Sequence, residues 1–241
     1  MKKIITLALA LGMMACTSAQ WGKRVKGNGD VVTIERSVGN YDEVAMAGWF
    51  DVELVSGTEG EITLKGESNL LEYIITEVKN GKLVIKTEKG VNLKPSDWKS
   101  GIYVTVPVES VHGVSLSGSG DLVGKTTLKA DHFSTAMSGS GDVTLTIEAD
   151  EVDAALSGSG DINLSGRATD FTVSVSGSGD IRAYELEADY VTATVSGSAD
   201  IKVTANESID ARVSGSGDIQ YRGNPNKIKS KASGSGDITK G

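Results

Sequence analysis

Seven aspartates recur at nearly equal spacing along the chain: Asp121, Asp142, Asp161, Asp180, Asp200, Asp218 and Asp237. Each closes a Ser-Gly-Ser-Gly-Asp pentapeptide, at 117–121, 138–142, 157–161, 176–180, 214–218 and 233–237, with Ser-Gly-Ser-Ala-Asp as the variant at 196–200. Carboxylates in register could bind a ligand or cations, accept hydrogen bonds from turn amides, or act as an acid and a base. Acid–base work needs two carboxyl groups in divergent environments. These seven share one sequence context, so catalysis is not expected. At a spacing of about 4.8 Å, neighbouring charges repel by about 0.9 kcal/mol in water and about 3.5 kcal/mol at an effective dielectric of 20. Such a column needs solvent, N–H donors or cations. Turn capping is the simpler reading, and ligand or cation binding the sharper one. The calcium-binding Gly-Gly-x-Gly-x-Asp repeat differs, having a nine-residue period and a residue between Gly and Asp.

Other chemistry is sparse. His112 and His132 fall at or beside strand positions, and structural roles are expected for both. Trp21, Trp49 and Trp98 are scattered, and Trp49 stands in a corner where Ser is usual. Exposure there would suit sugar stacking, and packing beneath the neighbouring segment is the alternative. No His-rich metal spacing appears, and no cofactor is expected.

The elements that position the aspartates follow from the period. Successive motifs start at Ser117, Ser138, Ser157, Ser176, Ser196, Ser214 and Ser233, a step near twenty residues that marks a solenoid. Before the motif stand Leu116, Met137, Leu156, Val175, Val195, Val213 and Ala232. After its Asp stand Leu122, Val143, Ile162, Ile181, Ile201, Ile219 and Ile238. Polar residues alternate with these, as strands with one buried face require. Each repeat therefore reads as strand, Gly-rich corner and second strand, with length variation in a looser corner beyond. Stacking each strand on its copy one turn later gives parallel sheets. Both motif glycines permit positive φ where the chain turns sharply, Ala199 marks the second site as one of ordinary φ or mild strain, and the Asp is expected to accept in an Asx-type turn. The outward residues Ser115, Ala136, Ala155, Ser174 and Thr194 predict a flat face with little relief, suited to a long repetitive ligand.

Upstream, Ala47 to Leu54 fits the same template. Strand-like runs follow at Glu61–Lys65, Lys82–Lys86 and Ile102–Val106, with a short helix expected over Ser68–Ile75, capped by Ser68 or Asn69. Residues 38–110 read as irregular turns of the same body, with a separate small β domain as the alternative. Regular turns fill 111–240.

The chain has 241 residues and a formal charge of −8, which disfavours a nucleic-acid partner. The N-terminus, MKKIITLALALGMMACTSAQ, has Lys2 and Lys3 before a short apolar run. This is an export leader too short to span a bilayer. Cleavage after Ala19 leaves a soluble chain beginning at 20, with 20–37 as a lead-in. Cleavage after Ala15 makes Cys16 the lipidated first residue, the one membrane attachment expected. No second Cys exists, so an intrachain disulfide is excluded. The protein is expected in the periplasm, at the outer membrane or at the cell surface.

The V-x-V-SGSGD-I-x-L turns, with AGWFDVELVSG and NLLEYIITEVKNGKLVIKT upstream, resemble the putative auto-transporter adhesin, head GIN domain family of exported bacterial proteins. The likeness spans about 38 to 240. It implies an all-β, right-handed parallel β-solenoid (β-helix) with turns of about 19–20 residues and a more irregular N-terminal part. It implies little about chemistry. The function expected is an exported, non-enzymatic binding or adhesion module of the cell envelope, directed to a glycan, matrix component or surface protein. A structural envelope protein without ligand is the alternative, and a glycan-active β-helix enzyme is a third reading. The resemblance brings no catalytic residues.

Overall fold

A computed structural model describes residues 22–97 and 99–241. The leader, Cys16, Trp21 and Trp98 lie outside the described residues. The chain enters through β1 (Lys23–Lys26), β2 (Val31–Ser37), β3 (Glu43–Gly48), β4 (Asp51–Ser56) and β5 (Glu61–Glu67). One short helix, α1 (Ser68–Leu71), precedes β6 (Ile74–Lys79), β7 (Lys82–Thr87), β8 (Val91–Lys94) and β9 (Tyr103–Val108). The repeats then form β10 (Gly113–Gly118), β11 (Leu122–Gly139), β12 (Val143–Gly158), β13 (Ile162–Gly177), β14 (Ile181–Gly197) and β15 (Ile201–Gly215). The chain closes with β16 (Ile219–Arg222), β17 (Lys227–Gly234) and β18 (Ile238–Lys240).

Strands β10 to β15 pair in sequence order, all parallel, each on its copy one turn later. The register is that of the motif: Leu116 faces Met137, then Leu156, Val175, Val195 and Val213. This is the parallel β-solenoid expected from the period. The inward columns are buried, at 0–2 % exposure for Leu116 to Val213 and 0 % for Leu122 to Ile219. They fill a narrow core, because a 19-residue turn encloses room for only a few side chains across. Five residues before each motif, Phe133, Val152, Phe171, Val191 and Ile209 are buried too, whereas His112 lies beside Glu43, and Ile228 and Ala232 are exposed in the last turn.

One expectation needs refinement. The looser second corner is a bend inside continuous pairing, since β11 to β14 each run unbroken from one pentapeptide to the next. Length differences appear there as bulges, between Val123 and Thr127, between Asn163 and Ser165, and between Ala183 and Glu187. A bulge absorbs an extra residue without breaking the neighbouring ladder.

Upstream, β3 pairs β10 in the motif register, with Gly48 opposite Gly118, and β4 pairs β11. On their other side, β3 takes β7 and β4 takes β9, still parallel. The stack then ends in antiparallel pairs: β6 on β7, and β5 on both β9 and β2. Asn80 and Gly81, both at positive φ (52° and 80°), make the tight turn between β6 and β7. Helix α1 is shorter than expected. Its N-cap is Glu67, and Ile74 has already entered β6. The reason is competition: the β7 ladder and core take up Ile74, and the Arg36 guanidinium binds the carbonyls of Leu71 and Ile74 where the helix would continue.

Candidate functional site

The seven motif aspartates stand in one column, and Asp51 of the upstream corner adds an eighth. From Asp51 to Asp218, each Oδ1 accepts a hydrogen bond from the backbone N–H of the aspartate one turn later. The series runs Asp51 to Asp121, Asp121 to Asp142, Asp142 to Asp161 and Asp161 to Asp180, each at 3.0 Å. It continues from Asp180 to Asp200 at 3.0 Å, then from Asp200 to Asp218 and from Asp218 to Asp237 at 2.8 Å. The Asp carbonyl completes the rung, as where Leu122 N–H donates to Asp142 and Val143 N–H to Asp161. The bond therefore crosses between turns, in place of the Asx-type bond within a turn.

A donor count explains why the residue is aspartate. At each corner with a second glycine, two N–H groups converge on one carbonyl of the turn before: Ser140 at 2.9 Å and Gly141 at 3.3 Å both donate to Gly118. The next N–H, that of Asp142, donates to no backbone carbonyl among the described residues and takes Asp121 Oδ1. A carboxylate one turn back supplies the missing acceptor. Where the rungs are part-buried, at Asp180, Asp200 and Asp218, an unpaired amide costs about 1–3 kcal/mol, and a charged acceptor makes the stronger kind of bond. The corner serines make no side-chain hydrogen bond among the described residues, contrary to the turn-bonding role their type suggests.

Repulsion along the column is also relieved by a side chain. Arg182 binds Asp161 Oδ2 at 2.5 Å and Asp180 Oδ2 at 3.1 Å. Its hydrogen bond to the Asp161 carboxylate raises the pKa of the Arg182 guanidinium above its ordinary value, against desolvation, with Asp180 adding to the effect. Sequence reasoning passed over Arg182. The available signal was a cation two residues after a motif aspartate.

Two faces flank the column. The outward residues Ser115, Ala136, Ala155, Ser174 and Thr194 line a shallow groove of about 580 Å³ with the motif serines, over Leu116, Met137, Leu156 and Val175. The expected flat face is thus hollowed, because its side chains are too short to fill the level of their neighbours. No charged residue lines it, and Arg212 and Lys231 follow Thr194 in the same column. His132 lies in the open, 3.3 Å from Glu151 and 3.5 Å from Asp153, and His112 lies 3.7 Å from Glu43. Trp49 is half-buried against the core, so it offers no open stacking platform. Among the described residues, no group of three or more His, Cys, Asp or Glu is arranged to hold a metal ion.

The family model for the putative auto-transporter adhesin, head GIN domain, matches residues 40–225. This chain belongs to that family. Solved structures agree with the head GIN assignment. A putative adhesin from Bacteroides fragilis is 24 % identical, with a TM-score of 0.82, covering 90 % of this chain and 99 % of that one. A putative lipid binding protein from Parabacteroides distasonis is 26 % identical, with a TM-score of 0.76, covering 91 % and 100 %. A putative adhesin from the same species is 22 % identical, with a TM-score of 0.72. Among curated proteins, none matches the sequence. The family and its structural neighbours carry names of binding proteins, as an adhesion or binding module would.

Proposed function

We propose that this head GIN domain protein is an exported, non-enzymatic binding module of the cell envelope that holds an extended glycan or matrix chain along its coil axis. The observation that carries this reading is the uncharged groove, which repeats the same small outward residues over five turns. A repeating surface at about 4.8 Å per turn matches a repeating partner, whereas a compact small molecule prefers a deeper pocket. The aspartate column does not compete for this role, since its Oδ1 atoms are engaged by backbone N–H groups. Catalysis is disfavoured because the carboxylates of the column, from Asp51 to Asp218, repeat one arrangement in which each accepts the amide one turn on. The leader supports export, and lipidation at Cys16 would tether the lead-in end of the solenoid.

The test is an array of polysaccharides and matrix proteins, probed with the chain from residue 20 and with Ala155→Trp, which plugs the groove. Binding by the parent and its loss in the variant are expected. Binding that survives Ala155→Trp would remove the groove from the account, and turnover of an arrayed polysaccharide would replace it with an enzyme. The apolar lining of the groove favours one second reading, an acyl chain, in keeping with the name of the Parabacteroides neighbour. Flotation of unacylated protein with liposomes distinguishes the two.

A further inference from the structure

On the other side of the aspartate column, the regular pattern is broken at one place. Strand β14 carries three residues, Tyr184, Glu185 and Leu186, where β15 has none: Ala183 faces Val203, and Glu187 already faces Thr204. Leu186 drops into the core at 0 % exposure, while Tyr184 and Glu185 stay on the outer face. The disrupted ladder is repaired by a side chain, with Thr204 Oγ1 donating to the Tyr184 carbonyl at 2.8 Å. The tyrosine is held in place. Its hydroxyl donates to Gln220 Oε1 at 3.2 Å, two turns on, and the Arg222 guanidinium lies over its ring at 3.9 Å from the centroid. Bulges of this kind re-aim side chains and recur beside functional sites.

The bulge forms one wall of a pocket of about 330 Å³. Tyr184, Glu185 and Arg182 stand on that side, with Asn163 and Thr144 from the earlier turns and Leu145 and Leu164 beneath. An aromatic ring, an apolar floor and planar amide, guanidinium and carboxylate groups are the complement of a sugar ring, which has apolar C–H faces and equatorial hydroxyls. Charge narrows the class. Arg182 is neutralised by Asp161 and Asp180, and Glu185 adds a negative charge, so sulfated, phosphorylated or uronic sugars are disfavoured.

We propose that this pocket binds one residue of a neutral saccharide, with Tyr184 packing on the sugar ring and Asn163, Arg182 and Glu185 bonding its hydroxyls. The proposal rests on the glycan-directed reading above and adds a site distinct from the groove. The experiment is an NMR titration of the isotope-labelled chain from residue 20 with glucose, galactose, mannose and N-acetylglucosamine, and with glucuronic acid as the anionic control. At least one neutral sugar should shift the amides of 163–165 and 182–185 saturably, leaving 115, 136 and 155 unmoved, with glucuronic acid weaker. Tyr184→Ala should weaken binding by about tenfold, and Tyr184→Phe should stay within about threefold of the parent. Circular dichroism checks that both variants fold. No shift with any neutral sugar, binding unchanged in a folded Tyr184→Ala, or preference for the anionic sugar would each overturn the pocket. Polysaccharide binding that persists without pocket shifts would overturn the pocket and leave the groove reading standing. The groove reading fails separately, if the array shows no binding or binding unaffected by Ala155→Trp.

Discussion

At a corner, the identity of the second glycine is decided by what stands one turn below it. A Cβ built on Gly160 would meet the Gly141 carbonyl oxygen. That residue does not have positive φ, so its requirement is close approach, whereas the first glycine, such as Gly139 at φ 137°, needs both. Ala199 shows how the corner tolerates a methyl. Its N–H lacks the second bond to the carbonyl below that Gly179 and Gly217 make at 3.2 and 3.3 Å, among the described residues. The local turn has opened by losing one weak bond. Gly160→Ala should therefore cost about 1–3 kcal/mol, since carbonyls press on it from a regular stack. Ala199→Gly regains a hydrogen bond of about 1 kcal/mol but adds chain entropy of similar size, so it should be nearly neutral. Urea unfolding of both variants checks the contrast, and equal losses would contradict it.

Among the elements, a buried carboxylate helps the β2–β5 ladder and Arg36 to fasten the N-terminal cap. Glu67, at 0 % exposure, accepts from Gly29 N–H at 2.5 Å and Ser96 N–H at 2.8 Å, joining the lead-in to the segment beyond β8. Burial alone would raise its pKa. The Ser96 amide and hydroxyl and the Gly29 amide outweigh burial and hold it below the ordinary glutamate value. A depressed folded pKa stabilises the fold above the unfolded value, near 4.5, and that stabilisation is lost as pH falls toward the folded one. Acid should thus loosen β1 and β8 before the repeats, and Glu67→Gln should flatten that step, as followed by proteolysis of the lead-in between pH 6 and 3. The repeats were legible because every inner turn sets the same demands on the same positions, so Leu116 and its equivalents through Val213 announce one buried environment, which the exposed Ala232 of the last turn leaves. The cap was not, because its strands leave the repeat pattern: Ile74 pairs antiparallel with Thr87 across the Asn80-Gly81 turn, and Val31 pairs antiparallel with Glu67. Helix signals at Ser68 and Asn69 were real but outweighed. Tyr184 was missed for the opposite reason: a bulge leaves only a one-residue change in step, which resembles slack in a loop. The acceptor role of aspartate was legible in kind, but its partner was not, since the bond joins residues about nineteen positions apart.

For the whole molecule, one ladder of carboxylates and amides runs from Asp51 to Asp237 and couples every regular turn to the next. A solenoid has only neighbour contacts, so this coupling decides whether turns open singly or together. The central claim is that each aspartate serves the amide one turn later. Native-state hydrogen exchange of Asp161→Ala tests it most directly, with Asp161→Asn, which keeps an acceptor oxygen, beside it. The account predicts selective loss of protection at the Asp180 amide in the alanine variant, with Asp142 and Asp161 still protected and the asparagine variant close to the parent. An Asp180 amide that exchanges at the parent rate in Asp161→Ala, or protection lost evenly over all turns, would contradict it.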